Sequence, residues 1–185
     1  MARKTEVSGD RIIDAVMDIV EESGFGEVSA RNVAARLGIS TQPIYRIFGD
    51  MDGVRQAAIE RGWRTFVREV SGEALDRAVG YVKFAVKHKR LFEFLFREQN
   101  YGYDGLNDLS HKLVDGTIID KLVEITGLSR ETAYRVHLCL WMALHGLAAV
   151  AADNEMTLSE REIEQFTKDI SRAMTAFYKS DGENV

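Results

Sequence analysis

The sequence of 185 residues contains a single cysteine, Cys139, and a single proline, Pro43. One cysteine excludes an internal disulfide and any metal cluster that several cysteines would hold. No stretch approaches the roughly 20 consecutive apolar residues of a membrane span, and the first residues lack the apolar core of a signal peptide. These absences predict a cytoplasmic protein that has no membrane partner.

Long runs in which apolar and polar residues alternate are also missing, and helix-forming residues dominate the composition. Together with the scarcity of proline, this favours an all-α fold. Apolar spacings of three and four residues, capping residues and terminal glycines divide the chain into nine predicted helices. The predicted helices cover residues 9–23, 29–38, 40–49, 50–70, 73–87, 91–98, 106–126, 129–152 and 159–178.

A basic island lies within a chain whose net charge is -5. Between residues 28 and 49 there are three arginines, Arg31, Arg36 and Arg46, and no acidic residue. A local basic patch matters more for nucleic-acid binding than the total charge does. The same segment predicts two short helices on either side of residues 38–40. That is the outline of a helix-turn-helix or, alternatively, of an ordinary helical hairpin.

The side chains of the second short helix favour the DNA-binding interpretation. At 3.6 residues per turn, Ile44, Ile47 and Phe48 share one side, and Gln42 and Arg46 lie on the opposite side. Glutamine is suited to adenine and arginine to guanine in the major groove, while hydroxyls and helix N-termini are suited to phosphate. We therefore expect a DNA interface formed by Ser29, Arg31, Ser40, Thr41, Gln42, Pro43, Tyr45 and Arg46.

The segment from Val28 to Gly49 closely resembles the DNA-binding domain of TetR-family transcriptional regulators. It has a hydroxyl cap at Ser29, a glycine-hydrophobic-serine turn at residues 38–40, and Tyr45 three residues before Phe48. The resemblance implies DNA binding as a homodimer, with Tyr45 on phosphate and the second short helix in the major groove.

The resemblance also implies two domains and a regulatory function. Residues 1–49 would form the helix-turn-helix DNA-binding domain, and residues 50–185 a ligand-binding and dimerisation domain whose first helix is the connector. Because the family consists mostly of repressors, we expect a repressor that binds a palindromic double-stranded DNA operator and is released by a small hydrophobic effector. The alternative is a helical small-molecule sensor or carrier that does not bind an operator.

The C-terminal part resembles one TetR subgroup that is named for a Trp-His-Gly signature. Here Trp141 lies four residues before His145 and Gly146, so the two aromatic rings share a helix face. His145 is either a hydrogen-bonded core residue or part of a ligand site. The surrounding aromatic residues allow the same two interpretations. The candidate walls of an effector site are Phe84, His88, Phe92, Trp141 and His145.

The last two predicted helices are rich in small and apolar residues, including Ile170 and Phe177. They could be core helices of a monomer. The resemblance instead implies that they pair with their copies as a four-helix bundle at the homodimer interface.

No residue pattern indicates an enzyme. Cys139 lies in an apolar run without a paired base, and the Glu-x-x-His pattern of di-iron helical bundles does not occur. Asp108 and His111 are a single acid–histidine pair, which is too little for a metal site. The sequence therefore predicts no catalytic residue, no metal and no cofactor.

Overall fold

The computed structural model describes residues 7–114 and 116–180, and within these residues the chain is all-helical, as predicted. The described part contains ten α-helices and one 3-10 turn, Phe25–Glu27, which follows the first helix. The helices are α1 Gly9–Ser23, α2 Ala30–Leu37, α3 Gln42–Phe48, α4 Met51–Glu69, α5 Ala74–Lys87, α6 Lys89–Phe96, α7 Gly105–Lys112, α8 Gly116–Thr126, α9 Arg130–Asp153 and α10 Glu160–Ser180.

The number of helices differs from the predicted nine because the single helix expected over residues 106–126 is two helices, α7 and α8. Residues 113 and 114 lie outside any helix, and α8 begins at Gly116. A glycine inside a helix costs about 1 kcal/mol relative to alanine, so the chain breaks most easily there. Gly116 is the sequence feature that indicates the break between α7 and α8.

The chain divides into two compact units. The first comprises Met1–Glu69 and Lys87–Gln99, and the second comprises Val70–Val86 and Asn100–Val185. The functional boundary expected between residues 49 and 50 stays a prediction, and its two domains include residues 1–6, 115 and 181–185, which lie outside the described part.

Helix α1 is the centre of the first unit, and α2, α3, α4 and α6 all pack against it. Each of these helices contributes a side chain that is fully removed from solvent, which makes one shared core: Ile12, Val16, Val20, Val33, Ile44, Val54 and Phe94. Because α3 has only seven residues, it depends on this core for its stability.

Two glycines fix the path of the short helices. Gly38 ends α2 with a φ of 65°, a left-handed conformation that favours glycine. Gly53 lies in the first turn of α4, directly against the end of α3. A Cβ at Gly53 would overlap the carbonyl oxygen of Phe48, so the corner between α3 and α4 requires a glycine.

An aromatic stack fastens α6 to the turn that precedes α2. The rings of Phe25 and Phe94 are parallel within 8°, with centroids 4.5 Å apart. The guanidinium of Arg55, from α4, lies 4.5 Å from the centroid of Phe25 and donates a hydrogen bond to the carbonyl oxygen of Glu98. A cation over an aromatic face is attracted by the ring quadrupole, so three elements are joined at one point.

In the second unit, α7, α8 and α10 each pack against α9. The positions of α9 that are buried are mostly small: Ala133, Val136, Leu144, Ala148, Ala151 and Ala152. Small side chains allow the backbones of neighbouring helices to approach closely.

Helix α9 is, among the described residues, the one helix that is long and apolar enough to cross a membrane by length and composition. This corrects the expectation that no stretch has that character. The core helix of a water-soluble protein passes the same test, so it is weak evidence of a membrane span. Only 28% of its most apolar window is buried within the chain, so most of that window is left uncovered.

Candidate nucleic-acid interface

The first helix of the motif begins and ends at the predicted residues. The hydroxyl of Ser29 accepts a hydrogen bond from the backbone N–H of Asn32 at 3.1 Å, which confirms the predicted N-cap. The side-chain amide of Asn32 donates to the carbonyl oxygen of Glu27 at 2.8 Å. These bonds fix the start of α2, and Ser29 can still donate its hydroxyl hydrogen to a phosphate.

The second helix begins later than predicted, because Ser40 is not its N-cap. Helix α3 begins at Gln42 after Thr41, whose ψ of -17° is already helical, and the hydroxyl of Thr41 forms no capping bond. An N-cap normally has an extended conformation that aims its side chain at the following N–H groups. Neither hydroxyl therefore caps α3, and both side chains are exposed.

Helix α3 presents a polar side to solvent. Ile44 is fully buried, whereas Gln42, Tyr45 and Arg46 are exposed. Ile47, which was expected on the buried side, is 39% exposed because only part of its side chain packs beside the start of α1. Three of the predicted DNA contacts thus lie together on α3.

The other residues that were predicted to contact DNA are close to α3 in the sequence. Arg31 is exposed on α2, Ser40 and Thr41 are exposed before α3, and Pro43 is half-buried in the first turn of α3. None of these side chains carries a negative charge, so the segment from 28 to 49 offers hydroxyls, amides and cations to solvent.

Helix α1 carries a row of four carboxylates, and two arginines from other helices each contact two of them. The row recurs at every fourth residue: Asp10, Asp14, Asp18 and Glu22. Arg61 of α4 binds Asp14 and lies 2.9 Å from Asp10. Arg36 of α2 binds Glu22 and lies 3.7 Å from Asp18, and its hydrogen bond lowers the pKa of Glu22. Arg36, the second arginine of the basic island, therefore forms its ion pairs within the first unit.

The effector candidates fall into two groups. Phe84, Trp141 and His145 belong to the second unit, and His88 and Phe92 belong to the first. Phe84 and Phe92 are each 1% exposed. The rings of Trp141 and His145 are stacked, with centroids 4.9 Å apart and planes 22° apart.

Tyr81 is a polar partner of this pair that sequence reasoning missed. Its hydroxyl oxygen lies 2.9 Å from Nδ1 of His145, and burial raises the pKa of the phenol, so it stays protonated. The two residues are 64 positions apart, and no local pattern relates them.

His137 is a second missed residue, one turn before Trp141 on the same face of α9. Its Nδ1 is buried and has no hydrogen-bond partner among the described residues. Burial lowers the pKa of His137 to about 4, so the ring is neutral at pH 7. The four-residue spacing of positions 137, 141 and 145 was the signal that could have found it.

The second unit also has an open groove of about 600 Å³. It is lined by Leu106, Asn107, Ser110, Glu131, Arg135, Leu138, Cys139 and Tyr178. The candidate effector walls are not part of this lining.

Comparison with known proteins places the similarity first in the N-terminal helices. Residues 12–58 match the family model for bacterial regulatory proteins of the tetR family. Two curated relatives, from two strains of Mycobacterium tuberculosis, are named as uncharacterized HTH-type transcriptional regulators. Each is 29% identical to this chain over 75 residues, which is 40% of this chain and 37% of the relative. The matched segment thus spans little more than a third of these relatives.

Two solved structures resemble the chain over most of its length. A TetR-like transcriptional regulator from Rhodococcus sp. RHA1 has a TM-score of 0.64 and 19% identity, covering 95% of this chain and 98% of that one. A tetR-family transcriptional regulator from Streptomyces coelicolor has a TM-score of 0.64 and 18% identity, covering 93% and 83%. At these identities the likeness shows the fold. The matched family consists of regulatory proteins and not enzymes, in agreement with expectation, whereas the Trp-His-Gly subgroup stays a prediction.

Proposed function

Because its N-terminal helices make this chain a member of the TetR family of regulatory proteins, we propose that it is a transcriptional regulator that binds DNA. The observation that carries the proposal is the exposed side of α3, where Gln42, Tyr45 and Arg46 lie together. Residues 1–49 are the DNA-binding domain of this proposal, and residues 50–185 bind the effector and form the dimer.

The exposed residues of α3 divide between the reading of bases and the binding of the backbone. Gln42 and Arg46 suit base edges in the major groove, and the hydroxyl of Tyr45 suits a phosphate. Ser29, Arg31, Ser40 and Thr41 supply further donors to phosphate, and Pro43 holds the first turn of α3 without needing a hydrogen-bond partner for its nitrogen.

A homodimer is the second part of the proposal. Side chains at the outer faces of α9 and α10 are large, apolar and half exposed in the single chain: Met142 50%, Val150 54% and Phe177 50%. Gly146 lies on the same side of α9 as Met142 and Val150, and a Cβ added there would meet nothing within 4 Å, which leaves room for another helix. Apolar patches of this kind mark interaction sites, and a two-fold axis would cover both copies at once.

Release by an effector is the third part. Trp141, His145 and Tyr81 join a stacked aromatic pair to a neutral hydroxyl, and His137 adds an unpaired ring nitrogen on the same face of α9. These groups favour a small, largely hydrophobic molecule that carries one hydrogen-bonding group. His88 and Phe92 stay predicted walls. In line with most of its family, the chain acts as a cytoplasmic repressor of a palindromic operator.

The test begins with selection of binding sites from random-sequence duplex DNA. The unmodified protein should enrich a palindrome and bind it with an affinity that falls steeply with salt. Replacement of Arg46 by alanine should weaken binding by about 1–3 kcal/mol and relax the preference at one position of each half-site. Tyr45→Phe should weaken binding to all sequences by a similar factor, because a phosphate contact carries no sequence information.

Arg64→Ala is the matched control, because Arg64 is an exposed arginine in the middle of α4 and outside the proposed interface. It should leave the selected sequence unchanged. Unaltered binding by the Arg46 variant would show that the exposed side of α3 does not read DNA. A complete lack of salt-dependent binding would favour the sensor or carrier alternative.

A further inference from the structure

His88 joins three elements of the first unit through both nitrogens of its ring. It lies between α5 and α6, and its side chain is 17% exposed. Its Nδ1 is 2.6 Å from Oε1 of Glu21, in the last turn of α1, and its Nε2 is 3.2 Å from Oε2 of Glu69, the last residue of α4.

The chemistry of these two contacts depends on a proton. An ionised carboxylate can only accept hydrogen bonds, and a neutral imidazole carries hydrogen on one nitrogen only. A neutral His88 could therefore bind Glu21 or Glu69, but not both. A protonated His88 donates to both carboxylates, and such charge-assisted bonds are about twice as strong as neutral ones.

The surrounding charges determine which of the two carboxylates depends on His88 for a positively charged partner. Glu69 also accepts a hydrogen bond from Lys87 at 3.0 Å, and the guanidinium of Arg68 lies 3.9 Å from its other oxygen. Burial by itself raises the pKa of Glu69, but the hydrogen bonds and charges of Lys87 and His88 outweigh it and hold that pKa below its usual value. Since cations already surround Glu69, a proton on His88 would be the charge that offsets Glu21.

Helix α6 brings two further cations to this corner. Lys89 and Arg90 form its first turn, and the guanidinium of Arg90 lies beside Gly24, at the end of α1. Neither can replace His88 as a bridge between Glu21 and Glu69, because the ring of His88 already occupies the position between the two carboxylates.

We infer that His88 is a proton-dependent clamp, which when protonated ties the end of α1 to the end of α4 and thereby supports operator binding. Helix α3 packs on both α1 and α4, so the position of α1 relative to α4 affects the proposed reading surface. Release of Glu21 removes one of the ties between α1 and α4, which gives α1 more freedom relative to α4 and to the side of α3 that packs on α4. A binding surface that is held in place loses less freedom on association, so operator affinity falls as the pH rises and His88 loses its proton.

The part of this inference that concerns operator affinity rests on the proposed function, so the experiment has two readouts. The melting temperature and the affinity for the selected DNA are measured at about pH 6 and about pH 8 at constant ionic strength, across the range where histidines lose their charge. The variants are His88→Gln, which cannot titrate, and Glu21→Gln, which removes the carboxylate that needs the proton. His111→Gln is the matched control, because His111 is an exposed histidine of α7.

The unmodified protein and His111→Gln should bind the selected DNA about fivefold or more weakly at the higher pH, the lower end of ordinary coupling between sites. Their melting temperatures should fall by about 2 °C or more over the same change. His88→Gln and Glu21→Gln should lose both pH responses. If His88→Gln does not fold, Glu21→Gln serves alone, because its carboxylate lies on the surface side of the clamp.

The inference is overturned if His88→Gln or Glu21→Gln keeps the pH responses of the unmodified protein. It is also overturned if the unmodified protein binds its selected DNA equally well at both pH values. If no DNA is bound at either pH, the proposed function fails. In that case the melting temperatures alone test the clamp, which stands only if the two variants lose the pH response that the control retains.

Discussion

Replacement of Phe177 by glutamate should convert the proposed dimer into a folded monomer. Phe177 lies on the outer face of α10, is half exposed, and packs edge to face against its neighbour Tyr178 with ring centroids 5.2 Å apart. Ile170 lies on the same helix but is only partly exposed, so its replacement by glutamate would disturb the monomer as well. Phe177 therefore separates assembly from folding more cleanly than Ile170 does.

The expected loss of dimer stability follows from the exposure of Phe177. Full burial of a phenylalanine side chain is worth about 1.5–3 kcal/mol, so burying its exposed half in a dimer contributes about 1 kcal/mol. An unpaired carboxylate in the interface costs several kcal/mol, and we take about 2 kcal/mol as a low value for this cost. A two-fold axis doubles the sum to about 6 kcal/mol, which weakens the dimer about 10⁴-fold.

Sedimentation equilibrium over a range of protein concentrations measures this change. Ile125→Glu is the matched control, because Ile125 is an apolar residue of α8 that is 81% exposed and is not part of the proposed interface. The control should remain a dimer, and Phe177→Glu should sediment as a monomer with an unchanged helical circular-dichroism spectrum. A Phe177→Glu protein with the dimer dissociation constant of the unmodified protein would show that this face is not the interface.

Two further predictions concern stability. Gly53→Ala should lower the free energy of unfolding by about 1–2 kcal/mol, because the added Cβ forces α3 and α4 apart at a cost that exceeds the gain in helix propensity. Gly26→Ala is the control and should not lower it, since a Cβ at Gly26 meets nothing within 4 Å. Equal denaturant midpoints for the two variants would contradict the close contact at Gly53. Burial lowers the pKa of His137 in the folded chain to about 4, so between about pH 6.5 and pH 4 the unfolded chain binds a proton that the folded chain does not, and the free energy of unfolding should fall as the pH drops through this range. Urea denaturation at a series of pH values measures this fall, and His137→Leu should make it smaller. An equal fall in the variant would count against the burial of Nδ1.

Local signals in the sequence were sufficient for most of the helices. Ser29 and Gly38 determine both ends of α2 through bonds and backbone angles within a few residues, so a single sequence predicts them. Ser40 shows the limit of such signals. It has the residue type of a cap, but α3 starts two residues later, where Thr41 already has helical backbone angles.

The contacts that hold the candidate site together were beyond sequence reasoning because they join residues that are distant in the chain. Arg61 binds Asp14 across 47 positions, and His88 contacts Glu21 across 67. A half-buried arginine or histidine such as Arg61 or His88 has no local sequence feature that identifies its partner. The reading residues of α3 could be predicted, whereas the contacts that fix their orientation could not.

Those distant contacts converge on α1, which gives the helix a particular place in the proposed mechanism. Arg36 reaches α1 from α2, Arg61 reaches it from α4, and His88 reaches it from the corner between α5 and α6. Helix α3 is too short to be stable alone and is held on α1 through the buried Ile44. A change that moves the α5–α6 corner therefore reaches Gln42 and Arg46 through α1, whereas α4 also contacts α3 directly. Of the three bridges to α1, the one through His88 is the bridge that the proposed clamp makes dependent on a proton.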